Sequence, residues 1–197
     1  YREVAPRAGG RHTCTTLIDG SVVCWGSNQE GEATPLEGPF LAVDTGYAHT
    51  CGLQNDRTVA CWGWNEFGQA TPPADKVFFT VSASRNHSCA ITIENQIECW
   101  GCGNSGGECS FGLPPDEIPP GNYTAVSAGD FHTCGLTTGR ELRCWGVQGG
   151  GRLDAPEGFY THLTVGAAHG CALSTDGLLA CWGCGDGTNG CGDFDFG

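Results

Sequence analysis

The chain has 197 residues, with 33 glycines, 14 cysteines and no methionine, and carries a formal net charge of −13 at pH 7. That charge excludes the basic footprint of a nucleic-acid binder, and no stretch approaches the roughly 18 apolar residues of a membrane-spanning helix. The length suits one good-sized domain, and the lack of methionine even at the start reads as a mature chain without its signal peptide, or an excised domain.

Residues 1–4 read as a short strand. Residues 10–26 then read as a β-hairpin, two β-rich runs around Asp19-Gly20, a strong turn signal. A three-residue turn with Gly20 in the left-handed region sets Cys14 opposite Cys24. The same writing returns along the chain: a His, a Cys two residues later, nine residues, then Cys-Trp-Gly. It runs from His12, His49, His87, His132 and His169, and the first cysteines lie 37, 38, 45 and 37 residues apart. Asp176-Gly177 repeats the turn, whereas Arg57, Asn95 and Arg140 occupy the glycine position elsewhere, and for the arginines a different turn type is expected. Strand alternation puts Leu17, Val23 and Trp25 on one face and Cys14, Val22 and Cys24 on the other. The same reading groups Leu53 with Trp62, Leu136 with Trp145 and Leu173 with Trp182.

A further strand precedes each later hairpin, over 40–43, 78–81, 123–126 and 160–163. After each Trp-Gly comes a polar, glycine-rich loop with room for a short fourth strand. Three or four strands in about 38 residues cannot bury two apolar faces alone, so the copies must stack. The expected fold is all-β: a disulfide-rich, five-bladed β-propeller forming one domain over 1–197, with repeats near 10–45, 46–83, 84–128, 129–165 and 166–197. Residues 1–5 would add the strand that closes the last blade and remove exposed sheet edges. The alternative is a piece of a longer array.

The cysteines form an even, regularly spaced set, which points to an oxidising, extracellular setting. The expected pairs are Cys14–Cys24, Cys51–Cys61, Cys89–Cys99, Cys134–Cys144 and Cys171–Cys181 across hairpins, with Cys102–Cys109 and Cys184–Cys191 closing loops. Zinc binding is the rival reading of His-x-Cys, but zinc modules favour tight Cys knuckles rather than cysteines split by a strand, a turn and a strand. No metal and no cofactor is expected.

Residues 49–69, with His-Thr-Cys-Gly-Leu, a turn and Val-Ala-Cys-Trp-Gly-Trp-Asn-Glu-Phe-Gly-Gln, resemble the regulator-of-chromosome-condensation repeat. The cysteine pair and Cys-Trp-Gly make the chain most similar to the cysteine-rich extracellular version of Crinkly-type plant receptor kinases. The resemblance implies a propeller of about four strands per blade. Five repeats, an acidic composition and many cysteines set the chain apart from the chromatin-bound nucleotide exchange factor of that family, and its function is not carried over. The resemblance supplies no catalytic residue to map.

Five copies of one residue suit scaffold better than site, so function is sought where the copies differ. Trp64 follows Cys-Trp-Gly where other repeats have Ser27, Cys102, Val147 or Cys184, and with Asn65 and Phe67 it forms the candidate binding loop. Aromatic platforms suit protein hot spots and sugar rings. The five repeated histidines fall at one place, where a ring could bind metal or sense pH; the preferred reading is that each satisfies backbone groups of the next blade. His162 reads as a strand-surface residue. Asp186, Asp193 and Asp195 form an oxygen-rich tail without calcium-loop spacing. Asn86 and Asn122 head glycosylation sequons, Asn122 in the more open setting. The expected function is non-catalytic recognition of an extracellular protein, or assembly with copies of itself, by a secreted or surface-exposed glycoprotein. The alternative is a carbohydrate-binding lectin, and behind it an extracellular glycan-active enzyme with carboxylates meeting at the propeller mouth.

Overall fold

The computed structural model describes residues 7, 8, 10–101 and 118–183; among these the strands form five antiparallel sheets of three. Blade 1 holds β1 (Arg7–Ala8), β2 (His12–Thr16) and β3 (Val22–Gly26), and blade 2 holds β4 (Phe40–Thr45), β5 (His49–Gln54) and β6 (Val59–Gly63). Blade 3 holds β7 (Phe78–Ala83), β8 (His87–Thr92) and β9 (Ile97–Gly101). Blade 4 holds β10 (Tyr123–Ala128), β11 (His132–Thr137) and β12 (Leu142–Gly146), and blade 5 holds β13 (Tyr160–Val165), β14 (His169–Ser174) and β15 (Leu179–Gly183).

Each hairpin turn closes the same way. In blade 1 the Leu17 amide donates to Ser21 O and the Gly20 amide to Leu17 O; in blade 2 Gln54 and Arg57 repeat both bonds. The expectation of a different turn at the arginines is corrected. Arg57, Asn95 and Arg140 sit at φ of 72°, 62° and 67°, in the same left-handed region as Gly20 and Gly177. The strain is held because the carbonyl there ties one blade to the next: Gly20, Arg57, Asn95 and Arg140 accept from the amides of Phe40, Phe78, Tyr123 and Tyr160 at 2.7–2.9 Å.

The turn fixes the register, so Cys14 faces Cys24 and each later pair faces likewise. All five hairpins carry the expected disulfide, Cys14–Cys24, Cys51–Cys61, Cys89–Cys99, Cys134–Cys144 and Cys171–Cys181. Cys102, Cys109, Cys184, Cys191, Asp186, Asp193, Asp195 and the strand expected at residues 1–5 lie outside the described residues. At the start of the described chain, Arg7 and Ala8 pair with Cys14 and Thr13, as Asp44 and Thr45 pair with Cys51 and Thr50.

One face assignment fails. Leu53 packs with Cys51, and Leu136 with Cys134, on the disulfide side of their blades rather than the tryptophan side. These leucines, and Leu173, stand two residues after their cysteine and so share its face, whereas Leu17 stands three after Cys14 and does not. The disulfide face of each of blades 1–4 packs on the tryptophan face of the next. Cys14, Val22 and Cys24 meet Phe40 and Trp62; Cys89, Ile91 and Ile97 meet Tyr123 and Trp145; Cys134 and Leu136 meet Tyr160 and Trp182.

The fourth strand suggested by the sequence and by the resemblance is absent among the described residues. The loops after Trp-Gly in blades 1 and 2 fold back on themselves instead. Asn28 Oδ1 accepts from Ala33 N and its Nδ2 donates to Thr34 Oγ1, and Asn65 makes the same clasp to Ala70 and Thr71. The first strands of blades 2–5, with Thr16 of blade 1, line a central cavity of about 570 Å³ whose walls include Asp44, Thr45, Ser82 and Ser127. Blades 1 to 5 therefore stand around a common axis in chain order.

Candidate functional site

The pairing of His49 with Gly63 puts the segment before each His and the loop after each Cys-Trp-Gly at the same end of a blade. Ser27, Trp64 and Val147 donate their amides to Arg11 O, Ala48 O and Phe131 O, which stitches the two sets of segments together. This loop face is one end of the propeller, and the hairpin turns form the other.

Beneath the loop face run the repeated histidines. Thr50 Oγ1 donates to Glu32 O at 3.0 Å, so its bond to His12 at 2.6 Å is donated by His12 Nε2–H. Ser88 Oγ donates to Gln69 O and accepts from His49 Nε2 at 2.9 Å by the same logic. His87 Nε2 shares a 2.9 Å bond with Thr133 Oγ1. The partners are thus side-chain hydroxyls of the next blade, not the backbone groups the sequence suggested. At His132 the series stops: the matching residue is Gly170, and neither ring nitrogen of His132 has a partner among the described residues. Burial pushes the His49 imidazole down to about 3 and those of His87 and His132 down to about 4. These are neutral structural groups. No cluster of three metal-ligating side chains occurs among the described residues. His162 is exposed.

The indoles repeat a second joint. Trp62 and Trp100 donate Nε1–H to the carbonyls of Glu32 and Gln69, and Trp182 to that of Arg152. Glu32 is wholly buried under its loop. Burial works to raise its carboxyl, but donation from Ser27 Oγ and nearby amides outweighs this and holds it below the usual carboxylate range. Gln69 takes that place in blade 2 and accepts from Phe67 N.

Of the residues singled out in the sequence, Trp64 and Phe67 come together. Both are half-buried, their rings edge-to-face at 5.1 Å. Asn65 is occupied by the loop clasp. Asn122 is exposed and accepts from Gln96 Nε2, with Thr124 exposed beside it. Asn86 is half-buried, and its sequon partner Ser88 is wholly buried.

The structure adds a feature the sequence reading did not reach. Tyr47, next to the Ala48 that receives the Trp64 amide, is flanked by guanidiniums from both neighbouring blades. Arg11 lies 4.5 Å and Arg85 5.1 Å from the ring centroid. The available signal was the pair of residues before each repeated His, which varies from copy to copy: Gly10-Arg11, Tyr47-Ala48, Arg85-Asn86, Asp130-Phe131, Ala167-Ala168.

Comparison with known proteins accounts for the architecture. A family model described as the regulator of chromosome condensation (RCC1) repeat matches residues 7–32, 40–69, 80–106 and 123–151, over half of the chain. The chain belongs to the RCC1 repeat family. A comparison with curated protein sequences finds no match. Among solved structures, the RCC1 repeats here are similar to the entire ectodomain of the receptor kinase CR4 from Physcomitrella patens. Identity is 26% and the TM-score 0.75, over 91% of this chain and 52% of that one. The CRINKLY WD40 ectodomain of the Arabidopsis thaliana receptor kinase ACR4 is also 26% identical, with a TM-score of 0.73 over 93% of this chain and 64% of that one. Human WBSCR16 shares the fold at 16% identity and a TM-score of 0.73, over 89% of this chain and 60% of that one. The chain thus spans between half and two thirds of the length of these proteins.

Proposed function

We propose that this RCC1-repeat propeller is an extracellular, non-catalytic recognition module that binds a protein partner through its loop face. The observation that carries the proposal is the Trp64–Phe67 pair. The repeated tryptophans 62, 100, 145 and 182 are buried between blades, while Trp64 stands outside the repeat, half-buried, at a position filled by Ser27 or Val147 in other copies. An aromatic residue held by a neighbouring ring loses little freedom on binding and offers a large contact area. The five disulfides and the likeness to two receptor-kinase ectodomains support an extracellular setting.

The test compares Trp64→Ala/Phe67→Ala with Trp62→Ala. The double variant should lose capture of partners from the native extracellular fluid with its near-ultraviolet circular dichroism and melting retained. Trp62→Ala should lose about 3–5 kcal/mol of stability, because it opens a cavity between blades 1 and 2. Unimpaired capture by the double variant would refute the assignment. A glycan array run on the same preparations separates the lectin reading: saturable binding to a neutral sugar, lost with Trp64, would favour a lectin.

A further inference from the structure

We propose that the Arg11–Tyr47–Arg85 stack is a binding site for a short acidic segment of a partner protein, with one carboxylate at each guanidinium. The inference rests on the loop-face reading above and names the chemistry of its partner.

The stack is built from three blades, one residue from each. Arg11 and Arg85 are both exposed, and neither is ion-paired among the described residues, where the only salt bridges are Lys76–Glu98 and Arg143–Glu141. Asp130 of blade 4 lies within reach of the Arg85 charge. Burial raises its carboxyl and the Arg85 charge works against that rise, but the two do not form a salt bridge. Two exposed guanidiniums held over one ring offer a pair of bidentate carboxylate receptors, and the tyrosine ring restricts their motion before binding.

The arginines matter more because of what surrounds them. The whole chain has 9 lysines and arginines against 22 acidic residues, and two of the nine converge on one ring. The loops on the same face carry exposed Glu30 and Glu66. Among the described residues, exposed positive charge on this part of the face is the short line from Arg11 to Arg85, with Arg152 half-buried over the Phe131 ring of blade 4. A long sulfated polysaccharide needs an extended basic track and would be repelled by the rest of the molecule. A peptide with two acidic positions needs only the line itself. The Trp64–Phe67 pair is joined to the stack through the Trp64 amide and the carbonyl of Ala48, next to Tyr47, and would take apolar residues of such a segment.

Fluorescence anisotropy on the full chain tests this with three labelled probes: a Gly-Ser peptide carrying two Glu-Glu pairs, the same peptide with Gln for Glu, and a heparin fragment. The Glu peptide should bind saturably, the Gln peptide should not, and added salt should weaken the complex. Arg11→Gln and Arg85→Gln should each weaken it about tenfold, the worth of one charge-assisted hydrogen bond. Arg143→Gln, at the turn end, should change nothing. Arg11→Lys and Arg85→Lys keep the charge without the planar fork and should fall between, which guards against a folding artefact in the glutamine variants. A Glu peptide that binds no better than the Gln peptide, or a preference for heparin, overturns the proposal. Loss of native-partner capture with Trp64→Ala/Phe67→Ala but not with the arginine variants would sink the acidic partner and leave the loop-face reading standing. The reverse result would keep the acidic anchor and remove the aromatic contact.

Discussion

His12 and Thr50 lie 38 residues apart and meet across the first blade joint at 2.6 Å, and the threonine hydroxyl in turn donates to Glu32 O. One hydroxyl thereby satisfies an imidazole from the blade before and a loop carbonyl from the same side. Thr50→Val keeps the shape and removes both bonds, leaving a buried N–H and a buried carbonyl with one donor fewer. The expected cost is about 1–3 kcal/mol, read from chemical denaturation. Thr161→Val, at an exposed hydroxyl, should change stability by less than about 0.5 kcal/mol. Equal effects of the two would show that the joint is energetically idle.

The buried imidazoles set a pH dependence whose sign is fixed. His49 titrates at about 3 and His87 and His132 at about 4 in the folded chain, against roughly 6.5 when unfolded. Below the unfolded value the unfolded chain gains protons that the folded chain does not, so stability is full above about pH 6.5 and declines as pH falls toward 4. Denaturation midpoints across that window should trace this decline. His49→Gln, which cannot take up the proton, should flatten the slope whatever it does to the absolute midpoint. A midpoint that rises on acidification would contradict the assignment of these groups as neutral.

The left-handed arginines predict a gain. Arg140→Gly should relieve about 1 kcal/mol of backbone strain while keeping the carbonyl that receives the Tyr160 amide. Gly20→Ala should do the reverse, since its φ is +86° and an added Cβ would sit 3.1 Å from Pro39. Melting curves of the two variants should move in opposite directions.

The two sequons should behave differently in a eukaryotic secretory host. Asn122 and Thr124 are both exposed, whereas the Ser88 hydroxyl is buried between His49 and Gln69, and the Asn86 side-chain oxygen is shut from solvent. Intact mass should show one N-glycan that disappears in Asn122→Gln and persists in Asn86→Gln. A glycan that survives Asn122→Gln would show that the burial of Ser88 does not protect the first sequon.

The hairpins were legible in the sequence because every determinant is local: a fixed cysteine spacing, a turn, and alternation on either side. The leucine faces were equally countable, and the misreading came from extending blade 1, whose Leu17 is offset by one residue, to Leu53, Leu136 and Leu173. The joints between blades were not legible. That Ser88 receives His49, or that Arg11 and Arg85 meet at Tyr47, depends on how separate sheets stack, and no local pattern encodes it. The Trp64–Phe67 pair was visible as an exception to the repeat; that Asn65 spends its amide on the loop clasp emerges only beside its counterpart Asn28. The arginine at the left-handed turn position was visible too, but the carbonyl bond that holds it there belongs to the following blade.

The blade joint has direction. Each sheet offers a disulfide, an imidazole and a turn carbonyl on one side, and receives with an indole, a backbone amide and, in blades 2–4, a hydroxyl on the other. Trp25, 51% exposed on blade 1, and Cys181, exposed on blade 5, stand at the two ends of that series. A repeat copied in tandem therefore arrives with both halves of its connection already made to fit, so arrays of this kind can lengthen or shorten by whole blades without new interface chemistry. Gly170 marks a place where that pattern is altered: with no hydroxyl to offer, the fourth joint leaves the His132 imidazole without a partner among the described residues and rests on its packing, the Trp182 indole and the Arg140 carbonyl.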